Sequence, residues 1–278
     1  MASVGAARQA WRRLEPLHAM VYFVPEAPER YRALGVEDRQ AGYFASRVAA
    51  MGAVPAEVVI ATFFNFCPDL VREGIPAVWD VVTPEKLLEA RLDAAGAALR
   101  RAGFHEYPEL PETLELATRA ALEACRHVQG RALFAAHAAL PWPDEPLLRL
   151  WHAQTLLREY RGDGHIAALV TEGLTGLEAL VLYAATTKGM VDLLRATRGW
   201  PREVWAAAEE DLRARGLLGD GLTLTERGQA FRQGIEDRTD VLAFPAYAVL
   251  DDQECERLAE LARVFGRAVV GAGLLNFG

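Results

Sequence analysis

Apolar residues recur at three- and four-residue intervals along most of the chain, which is the spacing of one helix face. Alanine, leucine, arginine and glutamate dominate these stretches and favour helix, whereas alternating β-branched runs are nearly absent. Prolines divide the first third into short helices, because proline is tolerated in the first turn of a helix and breaks its interior. The pattern therefore predicts a mostly α fold, with helices near residues 28–35, 39–50, 55–66, 68–82, 84–102, 111–128, 130–139 and 146–160.

The pattern changes from about residue 175, and the part of the chain that follows contains a strand signal. A turn rich in glycine and aspartate at 216–221 is followed by Leu222-Thr223-Leu224-Thr225, the clearest short strand in the sequence. A further helix then extends to about residue 241. Three helices are predicted before the turn, near residues 177–187, 190–197 and 201–215.

Three helices, a short β-wing and a further helix are the order of a winged helix-turn-helix. Two runs, Arg213-Ala214-Arg215-Gly216-Leu217-Leu218 and Leu222-Thr223-Leu224-Thr225-Glu226-Arg227-Gly228, resemble the MarR group over about 65 residues. We therefore expect two domains. Residues 1–174 form a multi-helical N-terminal part with a candidate ligand pocket, and residues 175–278 form a winged-helix-like module with a C-terminal helix.

Composition places the chain among ordinary folded proteins, with 278 residues, 51% apolar residues and 24% charged residues. A net charge of -8 provides no global basic field to attract nucleic acid or anionic lipid. The three cysteines are far apart and no histidine motif has metal-ligand spacing, so we expect neither a disulfide framework nor a metal site. We find neither a signal peptide nor an apolar run of about 20 residues, and we expect a cytoplasmic protein without membrane contact.

The densest group of ionisable residues is the run LLREYRGDGH at 156–165. Its two glycines predict a tight turn between helices, with Asp163 capping the second helix and His165 in its first turn. Arg158 and Arg161 are three residues apart and share a helix face. Such an Arg/Asp/His cluster is suited to hold a carboxylate or phosphate, with Asp163 and His165 as candidate catalytic proton-transfer groups. The alternative is structural: Asp163 caps and pairs with an arginine, and His165 lies in the core.

Four further residues are candidate ligand contacts. Asn65 stands within Phe63-Phe64-Asn65-Phe66, where a buried amide needs a partner and can orient a flat organic ligand. Tyr43 belongs to the same N-terminal aromatic group, most of which we expect in the core. His152 lies on the helix that leads into the cluster, and Trp142 lies in the proline-rich turn before that helix. Core packing is the alternative for these residues.

Four segments resemble the SalK-like helix-turn-helix family of actinobacterial proteins, and the similarity extends over nearly the whole chain. The most specific is LWHAQTLLREYRGDGHIAAL at 150–169, in which both arginines, the aspartate and the histidine of the cluster match the family motif. The resemblance implies an architecture and a shared motif but no assigned reaction. Tyr160 and Tyr183 replace histidines that are frequent in the family. The other segments are RQAGYFASR (39–47), PAEVVIATFFNF (55–66) and LFAAHAALPWPD (133–144).

Two functions from different classes fit these features. The helix-turn-helix order favours a DNA-binding transcriptional regulator, with Arg202 and Arg227 as DNA contacts. However, residues 188–238 contain nine basic and nine acidic residues, and Ala206 and Ala207 occupy the expected base-reading positions, so nucleic acid is not the expected partner. The sequence favours a small-molecule-binding protein, with a pocket lined by aromatic residues and the Arg/Asp/His cluster. It leaves open whether the pocket is catalytic, whether it takes a cofactor, including a haem or metal bound through a histidine, and whether the chain forms a homodimer.

Overall fold

A computed structural model describes residues 2–187 and 189–275, and these residues form fourteen α-helices joined by turns and short 3₁₀ segments. In chain order the helices are α1 (Val4–Ala19), α2 (Glu26–Ala33), α3 (Arg39–Val48), α4 (Ala56–Phe63), α5 (Pro68–Gly74), α6 (Pro84–Arg101), α7 (Leu110–Ala124), α8 (Ala132–Ala138), α9 (Pro146–Thr171), α10 (Gly176–Ala184), α11 (Val191–Arg198), α12 (Arg202–Ala214), α13 (Glu226–Ala243) and α14 (Asp252–Gly271). The prediction of a mostly α fold is confirmed.

The predicted β-wing is wrong. Within the described residues no strand forms, and the segment after α12 makes a single antiparallel bridge between Leu218 and Leu224. Leu222 takes a left-handed backbone conformation, with φ 56°, which ends any extended run on that side. Thr225 already caps α13 by accepting a hydrogen bond from the Gly228 amide at 2.9 Å. The chain therefore turns directly into α13, and the winged module expected from the MarR resemblance is not formed.

The turn predicted at Gly162 and Gly164 is also wrong, because both glycines lie inside α9, a continuous helix of 26 residues. Gly164 lies at a close crossing with α13. A Cβ atom there would come within 2.8 Å of the Arg131 guanidinium and 3.2 Å of Leu242 Cβ. Arg131 cannot easily yield, because it donates hydrogen bonds to the carbonyl oxygens of Leu242 (2.7 Å) and Tyr160. The glycine thus serves close helix packing rather than a change of chain direction.

Helix α9 is shared by two hydrophobic clusters. The larger cluster surrounds the first half of α9 with side chains from α1, α3, α6, α7 and α14, and α14 lies along α1. The smaller cluster contains the end of α9 together with α10, α11, α12 and α13. The second half of α9, between these two clusters, carries the Arg/Asp/His cluster identified in the sequence.

No single helix among the described residues has both the length and the apolarity needed to cross a membrane. Two helix pairs reach that length only when they are joined across bends, of 93° between Arg39–Met51 and Ala56–Phe63 and of 102° between α9 and α10.

The two glycines of α9 give a matched test of this packing. Gly164→Ala is expected to lower the free energy of unfolding by about 1–3 kcal/mol, because the added methyl group overpacks the crossing with α13. Gly162→Ala is expected to raise it by up to about 1 kcal/mol, since alanine favours helix and the new Cβ atom would meet only Glu159 Oε2, at 3.6 Å. Urea denaturation of both variants measures the difference. Equal effects would contradict the close-crossing role of Gly164.

Candidate functional site

A cavity of about 360 Å³ lies where α9 meets α4, α10 and α13, and we call it the inner chamber. Apolar and aromatic side chains make much of its wall. The polar and ionisable side chains that line it are Arg47, Thr62, Asn65, Glu159, Asp163, His165, Tyr183, Arg232 and Glu236.

A larger cavity of about 930 Å³ adjoins it between α1, α9 and α13, and we call it the outer chamber. The two chambers share lining residues, among them Glu159, His165 and Arg232. Charged groups dominate the outer chamber. Its charged lining residues are Arg8, Arg12, Glu15, Arg47, Arg158, Glu159, Arg161, Arg232 and Glu236.

Glu159 is the buried carboxylate at the junction of the chambers. Arg47 Nη2 donates to both carboxylate oxygens of Glu159, at 3.2 and 3.1 Å, and Arg158 Nε lies 3.9 Å from Oε1. Burial raises the pKa of Glu159, but Arg47 and Arg158 outweigh burial and hold that pKa at about 2. Arg158 also pairs with Glu15 of α1. Glu159 therefore stays ionised and fixes two arginines.

Arg161 occupies the wall of the outer chamber on the side of α13. Its guanidinium lies 3.1 Å from Glu236 Oε2 and 2.9 Å from Asp240 Oδ1, and it sits over the Trp11 ring at 4.4 Å. Arg8 of α1 pairs with Asp240 as well. Arg161 thus ties α9 to both α1 and α13.

Asp163 lines the inner chamber and caps a different helix from the one predicted. Its Oδ2 accepts a hydrogen bond from the Phe134 amide, at 3.0 Å, in the first turn of α8. Burial raises the pKa of Asp163 to about 6, because water no longer solvates the carboxylate fully. A carboxyl group that titrates near pH 6 in a cavity is suited to donate or accept a proton at near-neutral pH.

His165 lines both chambers and has a defined tautomer. Thr239 Oγ1 donates its proton to the Ile235 carbonyl, at 2.7 Å, so it must accept the hydrogen bond from His165 Nδ1, at 2.9 Å. The other ring nitrogen, Nε2, is then an unprotonated acceptor. Burial lowers the pKa of His165, which favours this neutral form.

Asn65 reaches the inner chamber from the turn after α4. The preceding residue, Phe64, has a left-handed backbone with φ 58°, which is costly for a non-glycine residue and recurs at functional sites. Asn65 Oδ1 is buried and has no hydrogen-bond partner within residues 2–187 and 189–275, whereas the Asn65 main-chain carbonyl accepts a bond from Trp200 Nε1 at 2.9 Å. A buried acceptor without a partner is costly unless a ligand or water satisfies it.

Three of the sequence-predicted ligand contacts lie away from both chambers. Tyr43 belongs to the neighbouring aromatic cluster, and its hydroxyl accepts a hydrogen bond from Arg47 Nη1 at 3.2 Å. His152 is buried near the start of α9 and meets the Trp142 ring edge-to-face, with 4.9 Å between ring centroids. The structure brings the other five, Asn65, Arg158, Arg161, Asp163 and His165, around the two chambers.

Neither of the two predicted DNA contacts lines a chamber. Arg202 begins α12 and Arg227 lies in the first turn of α13. Within the described part of the chain, neither guanidinium makes an ion pair. The exposed side of α12 also carries Glu203, Glu210 and Asp211.

Sequence reasoning missed seven charged residues of the chambers, of which Arg8, Arg12 and Glu15 lie on α1. Glu159 stood inside the motif but was not selected, and Arg47 stood inside the segment RQAGYFASR. Arg232 and Glu236 carry an i, i+4 charge pattern on α13 that is typical of any exposed helix face, so it gave no specific signal. Among the described residues, no group of three histidine, cysteine or acidic side chains is arranged to hold a metal ion.

The raised pKa of Asp163 predicts a stabilising variant. The folded pKa of about 6 exceeds the usual aspartate value of 3.8, so the unfolded chain releases this proton first and stability falls as the pH rises from about 4 to about 6. Asp163→Asn keeps the acceptor for the Phe134 amide and removes the charge. We expect it to raise the free energy of unfolding by about 3 kcal/mol at pH 7.5 and to change it little at pH 4.

Denaturant titrations at the two pH values measure this effect. The control is Asp211→Asn on the exposed side of α12, which should change stability little at either pH. A loss of stability at pH 7.5 in Asp163→Asn would contradict the argument.

Comparison with known proteins gives one match. The model of a helix-turn-helix family matches residues 7–276. No curated protein and no solved structure gives a significant match to the chain. The matched range includes both chambers and α10–α13, so the chain belongs to this helix-turn-helix family over nearly its whole length.

Proposed function

We propose that this helix-turn-helix protein binds a small organic molecule in the inner chamber. The observation that carries the proposal is Asn65 Oδ1, a buried acceptor that has no partner among the described residues and belongs to a side chain lining the cavity. A ligand that donates a hydrogen bond to this oxygen would offset its desolvation. The strained Phe64 backbone beside it fits a segment shaped for binding.

The size and chemistry of the chamber support the same conclusion. About 360 Å³ lies within the range of small-molecule pockets, which are mostly apolar with a few convergent polar groups. Asp163 and His165 supply a proton donor or acceptor at near-neutral pH, which suits recognition and proton transfer alike. The finer resemblance, to the SalK-like family, implies a shared motif from Arg158 to His165 and assigns no reaction to it.

A chamber-filling substitution tests the proposal. Ile166 lines the inner chamber, whereas its neighbour Ala167 is exposed on the same helix. Native mass spectrometry of protein purified without added ligand should show a bound molecule in the wild type and in Ala167→Trp, and none in Ile166→Trp. Thermal denaturation confirms that both variants are folded. A molecule retained equally by folded Ile166→Trp would place binding elsewhere and refute the proposal.

A DNA-binding regulator is the second candidate, and the family match favours it. Arg202 and Arg227 are available for phosphates or bases. The Trp200 contact with Asn65 also joins the segment before α12 to the wall of the inner chamber, as a ligand-responsive regulator would require. The acidic residues on the exposed side of α12 oppose it, because they repel phosphates.

Fluorescence anisotropy with genomic duplexes near the gene distinguishes the two candidates. At about 150 mM salt we expect no binding near 10⁻⁸ M, the range typical of specific regulators. Binding in that range that Arg202→Gln weakens, and that Arg238→Gln leaves unchanged, would establish the regulator. Arg238 is a suitable control because it is exposed on α13 and pairs with Glu172.

A further inference from the structure

We infer that the ligand is an amphipathic organic anion, with its apolar body in the inner chamber and its carboxylate, phosphate or sulfonate group in the outer chamber. This inference rests on the proposed function. It specifies the chemistry of the ligand, and it depends on different residues from those that support binding itself.

The outer chamber is locally cationic in a protein whose net charge is -8. Six arginines line it against three glutamates, and counting Asp240, which pairs with Arg8 and Arg161 from behind, leaves an excess of two positive charges. A cavity whose lining has a net excess of one sign of charge concentrates counter-ions, because its low-dielectric walls focus the field. An anion is therefore the ligand charge that this chamber favours.

The excess resides on two identifiable guanidiniums. Arg12 makes no ion pair within the described part of the chain. Arg232 has one ion pair, at 3.6 Å to Glu236, and that carboxylate already lies 3.1 Å from Arg161. Because Arg232 lines both chambers, it can contact an anionic group whose apolar body occupies the inner chamber.

The inner chamber determines the other end of the ligand. Phe63, Leu133, Ile166 and Ile235 provide apolar walls, and Asn65 Oδ1 provides one acceptor for an N–H or O–H group. Burial of a flat apolar body there contributes the hydrophobic part of the affinity. The two chambers together match a molecule with one apolar end and one charged end.

A charge series of one aromatic body tests the inference by isothermal titration calorimetry. The probes are 2-naphthoate, 2-naphthamide and 2-naphthylmethylammonium, which share a ring system and differ in charge. We expect 2-naphthoate to bind the wild type at least about tenfold more tightly than 2-naphthamide, and this preference to shrink as salt rises. The ammonium probe should bind most weakly.

Arg232→Gln is expected to bring the affinity ratio of 2-naphthoate to 2-naphthamide close to one, whereas Arg238→Gln on the same helix should retain the wild-type ratio. Arg12→Gln provides a second variant if Arg232→Gln fails to fold. Equal binding of the amide and the carboxylate, abolished in Ile166→Trp, would overturn the anion inference and leave the proposed function standing. Failure of all three probes to bind, or preference for the ammonium probe, would also overturn the anion inference. The proposed function is tested separately, by native mass spectrometry of the molecule that copurifies with the protein.

Discussion

Acidification from pH 7 to pH 4 is expected to remove several kcal/mol of stability, because buried histidines must then become charged. His137 and His152 are both buried, and burial is the main cause that lowers the pKa of each to about 4. His18, which donates from Nδ1 to Thr155 and accepts at Nε2 from Tyr22, is buried as well, and burial, followed by Arg91, lowers its pKa.

The sign follows from proton binding. Each folded pKa lies below the usual histidine value of 6.5, so between pH 6.5 and pH 4 the unfolded chain binds more protons than the folded one. The stabilising contribution of each neutral histidine is complete above about pH 6.5 and disappears as the pH falls towards 4. The contributions of His137 and His152 to the free energy of unfolding each fall by about 3 kcal/mol over this pH range. Asp163 acts in the opposite direction and recovers a similar amount below pH 6, so the net loss remains about 3 kcal/mol before His18 is included.

Urea midpoints measured from pH 7.5 to pH 4 check this expectation. His137→Gln retains a donor for the Arg47 carbonyl, which His137 Nε2 contacts at 3.1 Å. This variant should lose about 3 kcal/mol less stability than the wild type between pH 7.5 and pH 4. The control is His127→Gln, since His127 is exposed and pairs with Glu123. This control should lose as much stability between pH 7.5 and pH 4 as the wild type does. Parallel curves for wild type and His137→Gln would show that His137 does not govern acid stability.

Helix boundaries were the most predictable feature of the fold, because prolines mark helix starts locally. The helix predicted at 84–102 is observed at Pro84–Arg101, and the helix predicted at 201–215 is observed at Arg202–Ala214. Two predictions were wrong for the same reason: the turn at the glycines of α9, and the strand expected from the Leu/Thr alternation before α13. Glycine spacing and β-branched alternation are local signals, but tertiary packing against α13 and the cap at Thr225 determined what those segments became.

The site was predictable only in part, for a related reason. The ionisable run in α9 was visible in the sequence, but the ion-pair partners of its residues are distant. Arg47 and Glu159 are separated by 112 positions, and Arg161 and Glu236 by 75. No local spacing reveals such pairs. The left-handed backbone at Phe64 also had no sequence signal, because such a conformation is expected at glycine.

Loss of the Glu159 carboxylate is expected to have the largest effect of any single substitution in the chambers. Glu159 is 3% exposed and neutralises Arg47, which is itself buried against the Tyr43 and Phe63 rings. Glu159→Gln preserves the shape but leaves that guanidinium without a carboxylate. Breaking a buried ion pair by removing one partner costs about 3–5 kcal/mol, so we expect a fall of that size in the free energy of unfolding at pH 7.

An exposed ion pair provides the matched control. Arg257 and Glu112 lie 2.7 Å apart with both side chains about half exposed, and Glu112→Gln should change the free energy of unfolding little because water screens the pair. The double variant Arg47→Met with Glu159→Leu separates charge from packing, since replacing a whole buried pair by apolar side chains is often neutral. We expect the double variant to be more stable than Glu159→Gln in urea denaturation. A double variant that is less stable than Glu159→Gln would show that packing around Glu159, and not its charge, supports the junction of the chambers.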